Sequence, residues 1–409
     1  MINFQDSHLL RNIIAFTYNL LLQILDIWRC SMEKIKVLHC TGLNMGGIET
    51  FITNIYSKIS NEVVFDFINY YDPEEEQYYE EYVKGLGSKV FKTGAWNEKN
   101  ILKKHFYRMK SLYSVLKKND YNVFHIHASD NMWIEDAIIA KICKVPKIII
   151  HSHSNGMQKF TKHFGFKSIF HNMVKPLWSF FATDYFACSK DAGEWMFTSK
   201  QINSSKFRII NNGIDFSKFE FNIDDRNLIR DKLNLKDKFV VGQVGRLAPE
   251  KNHMLSLKVF RELIKEDQNR YHFVIIGSGV NYSTINEYIK NNGLSNYVTI
   301  IESSNEINKW MSAFDCLLFP SLFEGLGIVA IEAQANGLNI LCSNHIPKDV
   351  DISNCIQFLS IDNDSDYINW SIAIKNLPNH FDTIRVYKPN YTSFNICDVV
   401  KELMLCYQN

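Results

Sequence analysis

Short hydrophobic runs alternate along the chain with longer segments in which apolar residues recur every three or four positions, starting at Ile35. The short runs are typical of buried strands, and the longer spacing is typical of helices that cover one face of a sheet. Their alternation predicts an α/β fold with parallel sheets. The predicted strands of the first half are Val37–Cys40, Val63–Asn69, Lys89–Thr93, Val123–His127, Lys147–His151 and Tyr185–Cys188.

A second series of strands follows a turn at Asn212-Gly213. The Asn-Gly pair is a strong turn signal, and the polar residues 222–238 behind it suit a surface connection. We therefore expect two doubly wound domains, residues 32–213 and 214–409, with a helix over residues 395–407 that can pack back on the first domain. The predicted strands of the second series are Phe239–Val244, His272–Gly277, Val298–Glu302, Cys316–Pro320 and Asn339–Ser343.

The length of 409 residues agrees with two domains, because single cores stop growing at about 250–300 residues. A formal net charge of +1 gives no overall attraction to nucleic acid, so no nucleic-acid partner is expected. The nine cysteines are scattered and include no C-x-x-C pair, which is typical of free thiols in a reducing compartment such as the cytoplasm.

Residues 1–31 differ from the rest of the chain. The apolar run from Leu9 to Trp28 is interrupted by polar residues, which makes it a poor membrane span and a poor signal peptide. A natural first strand begins just after Met32. Two interpretations remain open for this extension: an upstream start that is not used, or an amphipathic helix at a membrane interface.

The strongest motif is F-P-S-L-F-E-G-L-G-I-V-A-I-E-A, residues 319–333. A strand is predicted to end at Pro320, and Gly325, Leu326 and Gly327 are predicted to open a helix whose free backbone amides could bind an anion or a sugar hydroxyl. Eight helical positions would separate Glu324 and Glu332 by about 12 Å, which suits an extended ligand better than one glycosidic bond. The alternative is an exposed helix with ordinary surface glutamates.

The second motif is G-R-L-A-P-E-K-N, residues 245–252. A buried strand delivers Arg246 to the carboxyl edge of the sheet, and Lys251 lies at the start of the next helix. Two cations at such an edge suit a diphosphate. Solvated surface cations are the alternative. In the first half, Gly46-Gly47 after the first strand could bring the backbone close to a ligand or form a plain turn.

Histidines form two H-x-H pairs, His125/His127 and His151/His153. Each pair places both imidazoles on one face of a strand, a geometry that could hold zinc in a hydrolase. Because no carboxylate cluster joins them, core or cleft histidines are the favoured interpretation. We assign no metal site from the sequence.

Two basic stretches contain aromatic residues and no acid: residues 99–118 and residues 157–178. Cations interleaved with aromatic side chains suit an anionic lipid surface. The alternative for each stretch is a solvated helix face.

Together, G-G-I-E, H-S-H, N-N-G-I-D and the two long motifs resemble family 4 of the retaining GT-B glycosyltransferases, particularly bacterial capsule and exopolysaccharide members. The resemblance extends from Lys34 to the C-terminus. It implies two Rossmann-like domains that face a central cleft, with the donor on the second and the acceptor on the first. The chain departs from the family at Ile300–Ser304, where I-I-E-S-S replaces the usual F-L-G after a strand.

The resemblance also implies site roles. Arg246 and Lys251 would hold the donor pyrophosphate, Glu324 and the amides of Gly325–Gly327 would orient the transferred sugar, and Glu332 would bind the ribose. Gly46 and Gly47 would face the phosphates from the first domain. Glu324 and His153 are the expected catalytic pair, with His153 on the acceptor side of the cleft. An imidazole with a pKa near neutrality there could position a hydroxyl and help to move a proton.

The expected activity is transfer, with retention and without metal or cofactor, of a sugar from a uridine diphosphate donor. The expected acceptor is a lipid-linked glycan or polysaccharide in bacterial surface polysaccharide synthesis, at the inner face of the plasma membrane. Two alternatives belong to other classes: a non-catalytic sugar-nucleotide-binding subunit, and a zinc hydrolase that uses the H-x-H pairs.

Overall fold

The computed structural model describes residues 34–408 except Met45, residues 155–165, Gly325, Asn354, residues 379–384 and residues 386–392. The expectations for residues 1–31 and for Gly325 lie outside the described residues. The described chain forms two parallel sheets with helices on both faces, as the alternation of hydrophobic runs predicts.

The first sheet has seven strands in the order β3-β2-β1-β4-β5-β6-β7. The order reverses between β1 and β4. Its strands are β1 Ile35–Cys40, β2 Val63–Asn69, β3 Val90–Lys92, β4 Val123–Ala128, β5 Lys147–Ser152, β6 Asp184–Ala187 and β7 Phe207–Ile209. The helices are α1 Gly47–Ile59, α2 Glu80–Gly85, α3 Ile101–Lys118, α4 Ile134–Ile142, α5 Phe166–Val174, α6 Trp178–Phe181, α7 Lys190–Met196 and α8 Ser199–Ile202.

The second sheet has six strands in the order β10-β9-β8-β11-β12-β13 and reverses between β8 and β11. The strands are β8 Phe239–Val244, β9 Tyr271–Ile276, β10 Val298–Ile301, β11 Cys316–Phe319, β12 Asn339–Ser343 and β13 Ile356–Leu359. Its helices are α9 Phe216–Phe219, α10 Ile223–Lys232, α11 His253–Glu266, α12 Tyr282–Asn291, α13 Ile307–Ala313, α14 Ile328–Ala335, α15 Tyr367–Lys375 and α16 Ile396–Gln408.

Central strands are buried on both faces, which explains why they are continuous hydrophobic runs rather than alternating ones. The predicted strands are all present, with ends that shift by one or two residues. Two edge strands, β7 and β13, were not predicted. Both are short, and a polar residue, Arg208 in β7 and Gln357 in β13, interrupts the hydrophobic run by which the other strands are recognised.

The C-terminal helix α16 packs against the first sheet rather than the second. Val399, Leu403, Met404 and Tyr407 share a hydrophobic cluster with residues of β1, β2 and α1. The Tyr407 hydroxyl lies 2.8 Å from Nδ1 of His125 on β4. The helix therefore ties the end of the chain to the first domain and places a hydroxyl beside a cluster of histidines.

Candidate active site

The candidate motifs lie at corresponding positions of the two parallel sheets, where the strand order reverses. In each sheet, the loops on either side of the point where the strand order reverses form a crevice in which ligands bind. Gly46 follows β1 at this point in the first sheet. Arg246 follows β8 and Glu324 follows β11 at the corresponding point in the second sheet. Strand order thus brings together motifs that are far apart in sequence.

Lys251 and Glu324 form the central ion pair of the second-domain crevice. Lys251 Nζ lies 2.5 Å from Glu324 Oε1, and the two side chains are 17% and 14% exposed. Ser321 Oγ also donates to Glu324 Oε1 at 2.8 Å. The backbone holds the two loops together, because Leu322 N donates to the Glu250 carbonyl at 2.8 Å. A cation and a carboxylate are therefore fixed side by side at the mouth of the crevice.

The backbone of the loop after β8 is in direct contact with the backbone of the loop after β9. A Cβ on Gly277 would lie 1.9 Å from the Gly245 carbonyl oxygen, and one on Gly279 would lie 2.6 Å from the Leu247 carbonyl oxygen. Both glycines also have positive φ, of 155° and 154°. The G-S-G sequence at this position thus serves close packing of two loops, which keeps Arg246 and Lys251 at the sheet edge.

Arg246 is 66% exposed and pairs with Glu250, whose Oε1 lies 2.6 Å from Arg246 Nη2. Arg246 lies in the loop after β8, and Glu250 lies in the 3-10 turn Pro249–Lys251 that follows it. An incoming diphosphate must therefore compete with Glu250 for the guanidinium. Lys251, in contrast, is held in place by an acceptor inside the crevice.

Gly327 caps the helix that carries Glu332. It adopts the left-handed conformation, with φ 82° and ψ 52°, and a Cβ there would lie 3.1 Å from the Phe319 ring. No side chain caps the helix. Ala330 N donates to the Gly327 carbonyl at 2.9 Å, so the amides of Ile328 and Val329 are the ones offered to a ligand. The Leu326 side chain is buried in the second-domain core, which leaves only its backbone for ligand contacts.

The two glutamates of this motif do not share one helix. Helix α14 begins at Ile328, so Glu324 lies in the loop before it. The prediction that eight helical positions separate the two glutamates was therefore wrong, because Gly327 turns the chain before the helix starts. Glu332 is half-buried in α14, and burial raises its pKa to about 8, while the charge of Lys218 lowers it.

A carboxylate that the sequence analysis did not assign occupies the start of helix α1. A Cβ on Gly46 would lie 2.4 Å from Glu49 Oε2, so the glycine allows the Glu49 side chain to fold over the helix N-terminus. Burial raises the pKa of Glu49 to about 7, and the charge of Arg246 lowers it. Gly47 is exposed with open space around it. The G-G-x-E pattern itself was the available signal.

Electrostatic coupling shows that the two crevices face each other. Arg246 of the second domain acts on Glu49 of the first. Burial raises the pKa of Tyr79, which donates to or accepts from Thr50 Oγ1 at 2.9 Å, and the Glu332 carboxylate raises it further. The Gly46 loop and the residues near Tyr79 thus lie opposite the donor motifs.

His153 follows β5, and its backbone N–H donates to the Ala128 carbonyl at 3.0 Å. Its Nε2 lies 2.9 Å from His127 Nδ1. Burial lowers the pKa of His153 to about 3. The expectation of a pKa near neutrality was therefore wrong, because burial among the rings of His127 and His151 disfavours the charged imidazolium. It is neutral at physiological pH and suited to hydrogen bonding.

Comparison with known proteins assigns the chain to a family. Residues 225–373 match the family described as Glycosyl transferases group 1, and residues 45–218 match Glycosyltransferase Family 4. EpsF of Bacillus subtilis (strain 168), whose name assigns it to the glycosyltransferases, is 30% identical over 323 residues, covering 77% of this chain and 81% of EpsF. This chain belongs to glycosyltransferase family 4.

Other relatives of this family 4 glycosyltransferase include an Escherichia coli protein named UDP-Gal:alpha-D-GlcNAc-diphosphoundecaprenol alpha-1,3-galactosyltransferase. It is 28% identical over 244 residues, covering 57% of this chain and 60% of the relative. Among solved structures, Anabaena Alr3699/HepE in complex with UDP matches with a TM-score of 0.69 at 15% identity, covering 92% of this chain and 100% of HepE. The match supports the GT-B fold predicted from the sequence.

Five histidines of the glycosyltransferase stack beneath the first-domain crevice. They lie on the adjacent strands β1 and β4 and on or just after β5, and their side chains share one face: His39, His125, His127, His151 and His153. His151 is fully buried and lies deeper than the half-buried His153, as the sequence indicates. Two groups of three, His39/His125/His127 and His127/His151/His153, bring one nitrogen from each ring within 4.8 Å of the others. Neither group includes a carboxylate.

Exposed apolar side chains of the enzyme concentrate on the helical layer formed by α3, α4, α5 and α6. On α3, Leu102, Phe106 and Tyr113 are 78%, 58% and 44% exposed, and lysines lie between them. On α5 and α6 the exposed apolar residues are Ile169, Phe170, Met173 and Phe180. The part of the second basic stretch that falls in residues 155–165 lies outside the described residues. Among the helices described, none has the length and hydropathy needed to cross a bilayer.

Proposed function

We propose that the enzyme transfers a sugar from uridine diphosphate to a lipid-linked glycan with retention of the anomeric configuration. The observation that carries this proposal is the partly buried Lys251–Glu324 pair at the point where the second sheet reverses. A fixed cation beside a fixed carboxylate provides one contact for a diphosphate and one for sugar hydroxyls in the same crevice.

The donor diphosphate would lie against Lys251 and Arg246. Arg246 would exchange Glu250 for phosphate oxygens, and Lys251 would add a second charge without moving away from Glu324. Glu332 on α14 would accept from the ribose hydroxyls. Uridine is favoured because the HepE structure, which shares the fold, contains UDP.

Retention would follow from attack on the face that the diphosphate leaves. The bond from the anomeric carbon to the phosphate oxygen breaks, the bond to the acceptor oxygen forms on the same face, and the acceptor proton passes to the departing phosphate. Glu324 is engaged by Lys251 and Ser321, which favours a role in orienting the sugar over attack on it. Arg246 and Lys251 supply the positive field that stabilises the leaving group, so no metal is needed in that role.

His153 would contribute a hydrogen bond rather than a base. A pKa of about 3 keeps the imidazole neutral, so it can orient a sugar or acceptor hydroxyl while the departing phosphate takes the proton. Glu49 would face the diphosphate from the first domain. Because its pKa is about 7, it can be protonated there and avoid repulsion between two anions.

The acceptor is proposed from two observations. The named Escherichia coli relative acts on a sugar linked to diphosphoundecaprenol. The exposed apolar and basic face of α3, together with α5 and α6, is suited to an anionic bilayer that would contain such an acceptor. We therefore place the enzyme at the cytoplasmic face of the membrane, as a peripheral protein.

A thermal-shift screen over nucleotide sugars tests donor binding, since a selective ligand raises the melting temperature by mass action. We expect uridine diphosphate sugars to stabilise the protein more than guanosine or thymidine diphosphate sugars do. Equal stabilisation by all three nucleotides, or by none, would contradict the donor assignment.

A further inference from the structure

The outer histidine group has the composition of a transition-metal site. Its members are His127, His151 and His153, each with a nitrogen within 4.8 Å of the other two. A ligand set made only of imidazoles favours Zn²⁺, Cu²⁺ or Ni²⁺ over Mg²⁺ or Ca²⁺.

The two inner histidines occupy the positions of supporting residues. A metal-bound imidazole usually donates its other N–H to a neighbouring acceptor, which fixes the ring. His127 can bind through Nδ1 and donate from Nε2 to His39 Nδ1, 2.9 Å away. His151 can donate from Nδ1 to His125 Nε2, 3.3 Å away, and His125 can donate in turn to the Tyr407 hydroxyl at 2.8 Å.

The three ligand nitrogens must change their separations by about 1.5 Å or less to reach a tetrahedral site, since each lies within 4.8 Å of the other two. Zn–N bonds of about 2.0–2.1 Å in a tetrahedral site separate two ligand nitrogens by about 3.3 Å. His127 Nδ1 and His153 Nε2 are 2.9 Å apart, so they must separate by a few tenths of an ångström. His153 is the one half-buried member of the five rings, which gives the ion a route from the cleft and leaves a coordination position open to a water or hydroxide.

We propose that His127, His151 and His153 bind one Zn²⁺ and that the ion inhibits transfer by holding His153 away from the reacting sugar. Zinc binding rests on the histidine cluster alone. Inhibition rests also on the proposed function, which assigns His153 to a substrate hydroxyl.

Metal binding is tested on the full chain without a histidine tag, stripped with EDTA and dialysed against Zn²⁺. We expect one zinc per chain by elemental analysis, and visible absorption typical of tetrahedral cobalt when Co²⁺ is used. His151→Gln and His153→Ala should abolish both. His39→Gln should keep the site but weaken binding by about 10- to 100-fold, as loss of a supporting residue does. His272→Gln, outside the cluster, should have no effect.

Absence of stoichiometric zinc in the wild type, or binding unchanged in both H151Q and H153A, would overturn the site. If H151Q fails to fold by circular dichroism, H153A decides, because that ring is partly exposed. Inhibition is measured separately by adding Zn²⁺ to the transfer assay. Zinc that binds without reducing transfer would leave the site standing and would overturn the inhibition together with the role proposed for His153.

Discussion

Replacing Lys251 by methionine removes the charge of the candidate donor site while keeping most of the side chain. The aliphatic stem of Lys251 packs beside Gly245, 3.5 Å from the position of a Cβ there, and its ammonium lies 5.7 Å from the centre of the Phe319 ring. Methionine preserves these apolar contacts. What is lost is a cation that is 17% exposed and therefore weakly screened.

A hydrogen bond to a charged group contributes about 1.5–3 kcal/mol. At about 1.36 kcal/mol for each factor of ten, K251M should lower kcat/KM for the donor by about 10- to 150-fold. The assay is initial-rate transfer with a radiolabelled uridine diphosphate sugar, accompanied by inhibition with free UDP. Both the rate and the affinity for UDP should fall, because Lys251 is proposed to touch the diphosphate.

Lys265→Met is the matched control. Lys265 forms a comparable ion pair with Glu262, at 2.6 Å, but on the exposed surface of α11. The K265M variant should have the same kcat/KM as the wild type. A folded K251M variant whose kcat/KM and UDP affinity both match those of the wild type would refute a contact between Lys251 and the diphosphate. Lower thermal stability with unchanged UDP affinity would instead make Lys251 a structural partner of Glu324.

Three further predictions concern the first domain, α14 and the helical surface. His153→Ala should lower the rate of transfer by about a hundredfold with an unchanged circular dichroism spectrum, since the half-buried ring is proposed to orient a hydroxyl. Loss of folding without a specific effect on the rate would show that His153 is a structural residue. Glu332→Gln should remove a pH dependence of stability, because burial holds the pKa of Glu332 at about 8 in the folded chain against 4.5 in the unfolded chain. The melting temperature of the wild type should therefore fall relative to that of E332Q as the pH rises from about 5 to 8. Parallel curves of melting temperature against pH would contradict this. Phe106→Ser should weaken sedimentation with anionic vesicles at low salt. Val280→Ser should not, although Val280 on the second domain is 84% exposed and Phe106 only 58%. Equal binding to neutral vesicles would argue against the basic face.

The sheets could be predicted from the sequence because their central strands are buried on both faces. Val63–Asn69, Phe239–Val244 and Asn339–Ser343 were predicted to the residue. The edge strands Phe207–Ile209 and Ile356–Leu359 could not be predicted, since Arg208 and Gln357 interrupt their short apolar runs and leave no pattern that separates them from a loop.

The pairing of Lys251 with Glu324 could not be predicted from local sequence. The two residues are 73 positions apart and follow different strands, and only the adjacency of β8 and β11 in the sheet brings them together. Strand order likewise assembles five histidines from β1, β4 and β5, of which the sequence shows only two separate pairs. The burial that follows from this stacking, which lowers the pKa of His153, is a tertiary effect.

The proposed retaining transfer is measured most directly by determining the anomeric configuration of the transferred sugar by NMR. The reaction would contain the uridine diphosphate sugar that gives the largest thermal shift, a glycan linked to polyprenyl diphosphate, and EDTA. We expect a glycosylated product whose new linkage has the same anomeric configuration as the donor. An inverted linkage, a requirement for added metal, or release of free sugar without transfer would contradict this proposal.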